Sequence, residues 1–414
     1  MQGYFVPFFA DIVLDMPLRQ SFQYLIPENL ENSLQIGHFV KIPFGKAEEI
    51  GIIVGFSQTP ECDIKKIKKI INIINQQVVV PADIMKMTRW ISEYYESSWG
   101  EALFAGTPTC IRKKNLRYIK AISLNKDAKP NQANEKQKQI MDFLKTQKAP
   151  VPVPYLLGKM EFSGSSLKTL LQQQQITLST VEAGFQEDLP DFIKEQKESP
   201  LILNAEQIKA VDKISESFAP KEFKVYLVHG ITGSGKTEVY LQVIQKCLDQ
   251  GKQAIVLVPE ISLTPQTVSR FRNRFDRIAV MHSSLTELNR LSEWRKIQMG
   301  EIDIVIGARS AIFAPLTNIG VIIIDEEHDA SYKQDRTPRY NARDLAIIRG
   351  KNSAAVVVLG SATPSLDSWY NTKNGKFELI SLMKRAGNGL LPTFHIIDLK
   401  NEVILNRNFE IFSD

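Results

Sequence analysis

Residues 225–237, which read VYLVHGITGSGKT, constrain the fold more than any other stretch of the chain. The β-branched run at 225–229 predicts a buried strand, and apolar residues at helical spacing after residue 238 predict a helix. The turn between them matches the pattern G-x-x-x-x-G-K-[ST], filled by Gly230, Gly235, Lys236 and Thr237. A strand, a glycine turn and a helix in this order predict a P-loop in an α/β domain.

The expected chemistry of this turn is phosphate binding. Backbone N–H groups around Gly233 and its neighbouring glycines can close round phosphate oxygens, and the helix N-terminus adds positive potential. We expect Lys236 to reach the β- and γ-phosphates of ATP and the Thr237 hydroxyl to hold Mg²⁺. A chance match in a glycine turn is the alternative, and the partner motifs downstream argue against it.

Composition sets the outer limits. A chain of 414 residues allows two or three domains, and a formal net charge of +5 gives a mild bias towards polyanions. Its three cysteines, Cys62, Cys110 and Cys247, are far apart, which suits a reduced compartment and predicts neither a disulfide framework nor a metal cluster. With no apolar run of membrane-spanning length and no basic leader, we expect a soluble cytoplasmic protein.

The first half of the chain predicts two small domains. Short strands separated by Pro, Gly and Asn, then an amphipathic helix after Pro81, predict a β-rich domain over 1–105. The order helix, short helix, helix, strand predicts a winged-helix domain over 106–182. Residues 111–120 carry five basic residues and no acid, which leaves open a phosphate-contacting strand or a charged linker. The polar stretch 183–200 predicts a linker.

From residue 201 the pattern is α/β. Six apolar strand candidates alternate with helical stretches, which predicts a parallel sheet covered on both faces. In such sheets, ligands bind at the carboxyl ends of the strands, and each candidate motif begins at such an end.

Acidic residues follow one of these strands directly, in VIIIDEEHD at 321–329. Asp325 fits a carboxylate that holds Mg²⁺, and Glu326 fits a base that orients and deprotonates the attacking water. His328 is a candidate link to a neighbouring element, and a satisfied surface histidine is the alternative.

Two further segments complete the expected nucleotide site. In LGSATPS, Ser361 and Thr363 offer hydroxyls that can bridge the acidic motif to a moving part. In LNAEQIKAV, Asn204 and Gln207 precede the P-loop by about one helix, and an amide there can pair with the adenine edge because it both donates and accepts.

These motifs, taken in order, resemble a known class. GITGSGKT, LVPEISLTPQ, GARSAIFAP, DEEH and GSATPS resemble motifs I, Ia, Ib, II and III of superfamily 2 helicases. The stretch 325–346 and the β-rich start resemble, more narrowly, the primosomal replication-restart helicases. The resemblance covers essentially the whole chain. It implies a RecA-like lobe over 201–390 and an ATP-dependent 3′-to-5′ DNA helicase that recognises stalled or branched forks and initiates primosome assembly.

The resemblance also implies DNA-binding residues. In that family the N-terminal domain captures the 3′ end of the nascent strand, and its pocket residues would be Phe22, Gly45 and Lys68. Gln23 stands where the family often has an acid. Thr264 and Arg309 would contact the backbone of a DNA strand through its phosphates, without sequence preference.

Residues 331–346 would form an aromatic-rich loop that couples DNA binding to ATP hydrolysis. Its candidate residues are Tyr332, Gln334, Tyr340 and Arg343. Aromatic rings can stack on bases, and core packing is the alternative for Tyr340.

The family continues into a second RecA-like lobe with a further arginine motif and a cysteine-rich zinc-binding insert. Because this chain ends at Asp414 and has no cysteine after Cys247, we expect only the start of that lobe, at 391–414, and Zn²⁺ only in the remainder of the family protein. The implied partners are forked DNA, single-strand-binding protein and primosome or helicase-loading proteins, and the expected state is a monomer.

Rival functions remain at this stage. Another superfamily 2 fork-remodelling translocase is disfavoured by the β-rich start and the 325–346 stretch. A transporter-type ATPase is disfavoured because no LSGGQ-like signature is present. An adaptor that binds forks and whose ATPase is dispensable stays open.

Overall fold

The structure is a computed structural model. It describes residues 9–74, 79–109, 118–125, 134–146, 150–158, 160, 162–182, 197–218, 223–282 and 285–386. The predicted start of a second lobe, at 391–414, lies outside these residues, as does most of the predicted linker at 183–200. None of the helices within the described ranges is long and apolar enough to cross a lipid bilayer.

The N-terminal part is a five-stranded antiparallel sheet with the strand order β2-β1-β4-β3-β5. Its inner face buries Ile12, Tyr24, Val40 and Ile53, since β-branched and aromatic side chains pack well on a pleated surface. This confirms the predicted β-rich start. The strands are β1 Phe9–Leu14, β2 Phe22–Leu25, β3 Phe39–Phe44, β4 Ala47–Ser57 and β5 Asn72–Ile73.

Two helices follow the sheet, α1 Ala82–Tyr94 and α2 Trp99–Ala105. In α1, Ile84, Met87 and Ile91 recur at helical spacing and are fully buried, which confirms the predicted amphipathic helix. α2 starts with a reciprocal capping box between Ser98 and Glu101.

The next unit is a three-stranded sheet, in the order β7-β6-β8, with three helices. The predicted order of helix, short helix, helix, strand is present, around a core that includes Ile140, Leu144, Leu167 and Leu170. Of the basic stretch 111–120, the structure describes only residues 118–120, which belong to β6. The elements are β6 Tyr118–Leu124, α3 Glu135–Thr146, β7 Val151–Pro152, α4 Val153–Gly158, α5 Gly164–Gln172 and β8 Ile176–Glu182.

The largest unit is a parallel sheet of seven strands in the order β11-β12-β10-β13-β14-β9-β15. Its inner strands are continuous apolar runs because helices cover both faces, as predicted. The strands are β9 Lys224–Gly230, β10 Gln253–Leu257, β11 Ile278–Met281, β12 Ile304–Gly307, β13 Ile319–Ile324, β14 Val356–Ser361 and β15 Glu378–Leu382.

Within the described part of this unit there are six α-helices, and the two faces of the sheet have separate hydrophobic cores. One face packs mainly against α6 and α7. The core on the other face includes α9 and α10 and also takes in residues of α1 and α2. The helices are α6 Ala205–Glu216, α7 Lys236–Leu248, α8 Pro265–Arg272, α9 Glu287–Gln298, α10 Ala342–Ser353 and α11 Leu366–Lys373.

The N-terminal helices therefore dock on the parallel-sheet unit through a shared core. Polar contacts reinforce it: Arg349 of α10 is fully buried and donates to Asp83 of α1 at 2.7 Å and to the Ala314 carbonyl at 2.8 Å. Gly106 lies against the ring of Phe313 so closely that a Cβ there would be 2.6 Å from it.

Candidate nucleotide and DNA sites

The P-loop joins the end of β9 to the start of α7. Gly233 and Gly235 have φ values of +80° and +78°, a conformation that favours glycine. A Cβ at Gly235 would also lie 2.3 Å from the Gln207 side-chain nitrogen, so a larger residue would have to displace that amide. Lys236 Nζ donates to the Gly230 carbonyl at 2.9 Å, and the buried Ser234 hydroxyl has no hydrogen-bond partner within the described residues.

A cavity of about 490 Å³ opens above this turn. Its walls include backbone N–H groups of the turn, one lysine, three hydroxyl side chains and four carboxylates. Such a set of groups fits a triphosphate with Mg²⁺. The predicted site residues in its lining are Gly233, Gly235, Lys236, Thr237, Asp325 and Glu326. The sequence did not predict Leu201, Glu238, Arg270 and Arg274, which also line it.

Asp325 and Glu326 stand at the end of β13, beside the P-loop. Asp325 Oδ1 accepts from the Tyr240 hydroxyl at 3.1 Å, while burial, and then the neighbouring Glu326, raise the pKa of Asp325. Glu326 adopts the left-handed conformation, with φ at +43°, and its carboxylate lies 3.7 Å from Lys236 Nζ. Strained backbone of this kind is concentrated at functional sites.

The structure brings three of the predicted coupling residues together. His328 Nδ1 lies 2.8 Å from the hydroxyl of the fully buried Ser361, which also accepts from the backbone N–H of Thr363 at 2.9 Å. The same His328 nitrogen lies 3.7 Å from the Glu326 carboxylate. The ends of β13 and β14 are therefore joined next to the nucleotide cavity.

Asn204 and Gln207 form a reciprocal capping box at the start of α6. Gln207 is buried, its side-chain oxygen accepts from Asn204 N at 2.8 Å, and its side-chain nitrogen donates to the Ser234 carbonyl at 2.9 Å. The pair thus ties α6 to the P-loop. That this amide reads the adenine edge stays a prediction.

Glu327 is a residue of this site that the sequence did not predict. Its fully buried carboxylate accepts from Ser365 N at 2.7 Å and from the Ser365 and Ser368 hydroxyls at 3.0 and 2.9 Å. Arg343, a predicted coupling residue, donates to it at 3.1 Å. The only sequence signal was a third consecutive acid after an apolar strand.

The segment 331–341 leads from the acidic motif to α10. The side chains of Tyr332 and Tyr340 are both buried, each about 1% exposed, and the Tyr332 hydroxyl donates to the Asp325 carbonyl at 2.6 Å. Tyr340 packs edge-on against Phe313 at 5.3 Å, and Gln334 N donates to the Tyr340 carbonyl at 2.9 Å. Both rings are therefore core residues in this conformation, the alternative considered for Tyr340.

The two predicted phosphate contacts lie on different elements. Thr264 is exposed and caps α8, where its hydroxyl accepts from Thr267 N at 3.3 Å. Arg309 lies 6.0 Å above the Tyr340 ring and donates to the Ser331 carbonyl at 3.2 Å, so it also holds the 331–341 segment.

A second cavity, of about 440 Å³, lies in the N-terminal sheet. Phe22, Gly45 and Lys68, predicted together, all line it, and Lys68 Nζ donates to the Gly45 carbonyl at 3.1 Å. The Gln23 side-chain nitrogen donates to the Ser57 hydroxyl and the Thr59 carbonyl. Its side-chain oxygen accepts from the backbone N–H of Glu61 at 2.9 Å. Gln23 therefore fixes the loop that follows β4. Within the described ranges, no group of three or more His, Cys, Asp or Glu residues is arranged to hold a metal ion.

Comparisons with known proteins match both regions. Residues 11–108 match the model of the 3′ DNA-binding domain of PriA, and residues 204–371 match the model of DEAD/DEAH box helicases.

Whole-chain similarity is also extensive. The chain is 34% identical to the replication restart protein PriA of Bacillus subtilis over 98% of its own length and 59% of that protein. It is 37% identical to the protein of the same name from Haemophilus influenzae, over 95% of this chain and 54% of that protein. It is 36% identical to PriA of Chlamydia trachomatis, over 98% of this chain and 55% of that protein. The chain thus spans a little over half the length of these relatives.

Proposed function

The chain belongs to the PriA family of replication restart proteins, superfamily 2 helicases, and on that premise we propose that it acts as an ATP-dependent 3′-to-5′ DNA helicase. It recognises stalled or branched replication forks and initiates primosome assembly. The observation that carries this proposal is the cavity above the P-loop, where Lys236, Thr237, Asp325 and Glu326 face one another.

These residues divide the work of hydrolysis. Lys236, released from the Gly230 carbonyl, neutralises charge on the β- and γ-phosphates, and the P-loop N–H groups orient them. Thr237 and Asp325 would hold Mg²⁺, which would supply charge stabilisation to the transferred phosphoryl group. Glu326 orients the attacking water and takes its proton, and the nearby His328 and Ser361 hold that carboxylate against β14.

DNA recognition belongs to the N-terminal cavity and to the surface around α8. Phe22 offers an aromatic face, Lys68 a cation and Gly45 an uncrowded backbone, since nothing lies within 4 Å of a Cβ built there. This set fits the 3′-terminal nucleotide of a nascent strand. Thr264 and Arg309 hold the phosphates of the strand, and partners of the whole protein are single-strand-binding protein and helicase-loading proteins.

The test of the proposed function is a single substitution in the P-loop. Lys236→Ala should lower ATP hydrolysis in the presence of forked DNA by about 10²–10³-fold, because it removes a charge from the transition state. Binding of the fork, measured by fluorescence anisotropy, should be unchanged because the DNA residues lie elsewhere.

Lys246→Ala is the matched control, since Lys246 is on the same helix but pairs with Asp212 at the surface. Hydrolysis at the wild-type rate by the Lys236 variant would overturn the assignment. Full restart activity of a variant that no longer hydrolyses ATP would favour the fork-binding adaptor instead.

A further inference from the structure

One link between the N-terminal unit and the nucleotide-binding unit is Tyr95, the residue that directly follows α1 and caps its C-terminal end. Its hydroxyl donates to Asp344 Oδ2 at 3.0 Å and accepts from Asn341 N at 3.1 Å. Asn341 caps α10, and Lys333 Nζ lies 4.8 Å above the Tyr95 ring. Tyr95 thus holds both ends of the segment that connects the acidic motif to α10.

From Asp344 the contacts continue to the ATPase motif. Asp344 Oδ1 lies 3.6 Å from Arg343 Nε, and Arg343 donates to Glu327 at 3.1 Å. Glu327 directly follows Asp325 and Glu326, the two carboxylates that face the nucleotide cavity. Asp344 and Arg343 therefore connect Tyr95 to the acidic motif through a hydrogen bond, an ion pair and a second hydrogen bond, all partly or wholly buried.

On its other side, Tyr95 precedes a segment that packs against the end of β1 and the loop that follows it. The Ser98 hydroxyl donates to the Met16 carbonyl at 2.7 Å. Gly100 lies so close to the Leu14 carbonyl that a Cβ there would be 1.7 Å from its oxygen. The loop at 15–21 starts from this contact and delivers Phe22 to the cavity.

Burial, and to a smaller extent the charge of Asp344, raise the pKa of Tyr95, so its hydroxyl keeps its proton and remains a donor. The adjacent Tyr94 differs: its side chain is 64% exposed and stacks on Trp90 at 4.7 Å. The two tyrosines are neighbours in sequence, but only Tyr95 bridges the two units.

We propose that Tyr95 is a positioning residue that transmits occupancy of the N-terminal cavity to the nucleotide site through Asp344, Arg343 and Glu327. This rests on the proposed function, because it requires that the chain bind both DNA ends and nucleotide. A DNA end that moves the loop at 15–21 displaces the 95–100 segment and with it α10, which shifts Glu327 and the carboxylates beside it.

The coupling is measured as a thermodynamic cycle. The dissociation constant of a fluorescent ADP analogue is determined with the 414-residue chain, alone and saturated with a single-stranded oligonucleotide that ends in a 3′-hydroxyl. We expect the oligonucleotide to change this constant by about fivefold or more, and the nucleotide to change oligonucleotide affinity by the same factor, because coupling is reciprocal. An oligonucleotide with a 3′-phosphate should leave the constant unchanged.

Tyr95→Phe keeps the ring and removes only the hydroxyl. It should reduce the coupling factor to about one, while each separate affinity and the melting temperature stay close to wild type. Tyr94→Phe is the matched control and should keep the full factor. Asp344→Asn should also reduce the coupling factor, because Asp344 accepts the hydrogen bond of Tyr95 and contacts Arg343.

Three results separate the possibilities. Loss of coupling in the Tyr95 and Asp344 variants alone supports the proposal. Independent binding of the two ligands to the wild type, or full coupling in Tyr95→Phe, overturns it and leaves the proposed function intact. Failure of the wild type to bind nucleotide or DNA at all overturns the proposed function, and this inference with it.

Discussion

Glu327 is a carboxylate without solvent contact, yet it is not placed to touch the γ-phosphate. Its oxygens accept hydrogen bonds from two serines and Arg343, so the charge is fully compensated. Such compensation is what makes a buried charge tolerable. Glu327 anchors the acidic motif to α11 and α10 and leaves Glu326 beside it free to face the cavity.

Replacing Glu327 by Gln should therefore be costly for stability. An amide cannot accept all of the hydrogen bonds that Arg343 and the Ser365 N–H donate to this carboxylate. The substitution also removes the nearest and most buried counter-charge of the Arg343 guanidinium. We expect the free energy of unfolding to fall by about 3–5 kcal/mol, measured by urea denaturation.

Glu326→Gln provides the comparison at the neighbouring position. Its side chain is about one-third exposed, so its stability should change by less than about 1 kcal/mol while hydrolysis is lost. Equal stability losses in both variants would contradict the distinction between an anchoring and a reacting carboxylate.

At this scale the sequence predicts the P-loop residues and the first two acids, because each motif is contiguous and its spacing carries the chemistry. Glu327 could not be predicted in the same way, since its partners Arg343 and Ser365 become neighbours only when α10 and α11 pack beside β13. Tyr332 and Tyr340 show the converse. Their residue type suggested stacking on bases. In the fold, Tyr340 packs against Phe313 and Tyr332 donates to the Asp325 carbonyl, and these contacts cannot be predicted from the neighbouring sequence.

Among the elements, the N-terminal sheet has a cavity at one end whose wall comes from β2, the β3–β4 turn and the segment before β5. Gln23 ties the loop after β4 to β2, and Lys68 ties the last segment to Gly45. Three separate pieces of chain are therefore held in register by side-chain hydrogen bonds.

Lys68→Ala should weaken binding of an oligonucleotide with a free 3′ end. The expected loss is about tenfold, because one charge-assisted contact is worth about 1.5 kcal/mol. Lys65→Ala is the control, since Lys65 is exposed and does not line the cavity. Fluorescence anisotropy with 3′-hydroxyl and 3′-phosphate oligonucleotides measures both, and an equal loss for the two variants would mean that general charge, not the cavity, binds the DNA.

The strands of the parallel sheet were predictable because burial on both faces makes each a continuous apolar run. β15 was not predicted: ELISL alternates, with Ser381 exposed and Ile380 and Leu382 buried, because it lies at the edge beside β9. β5 and β7 have two residues each, which is too short for an alternating apolar pattern to be recognised in the sequence.

For the whole molecule, α1 and α10 form the main contact between the N-terminal unit and the nucleotide-binding unit. Arg349 is fully buried there, and Asp83 supplies its only carboxylate within the described residues. The backbone carbonyls of Ile312 and Ala314 accept its other N–H groups. One guanidinium therefore links α1, α10 and the segment before β13.

Asp83→Ala should leave this guanidinium buried without a counter-charge and cost about 3 kcal/mol in the free energy of unfolding. Asp212→Ala, which removes a surface pair with Lys246, should cost less than about 1 kcal/mol. Urea denaturation followed by tryptophan fluorescence gives both values. Indistinguishable midpoints for the two variants would show that the two units do not depend on this contact.

The shared core between α1, α2 and the parallel sheet has a consequence for how the chain tolerates changes in length. Residues of α1, α2 and the parallel-sheet unit contribute to one shared core, whereas the module at 118–182 has a separate core. Along the chain, this module is therefore an excursion between two parts of the shared core. Closing such an excursion costs only about 0.6 kcal/mol more for each doubling of its length. We therefore expect changes in the length of the connections to this module to be tolerated. Separation of α2 from the parallel sheet would instead expose apolar side chains of the shared core to water.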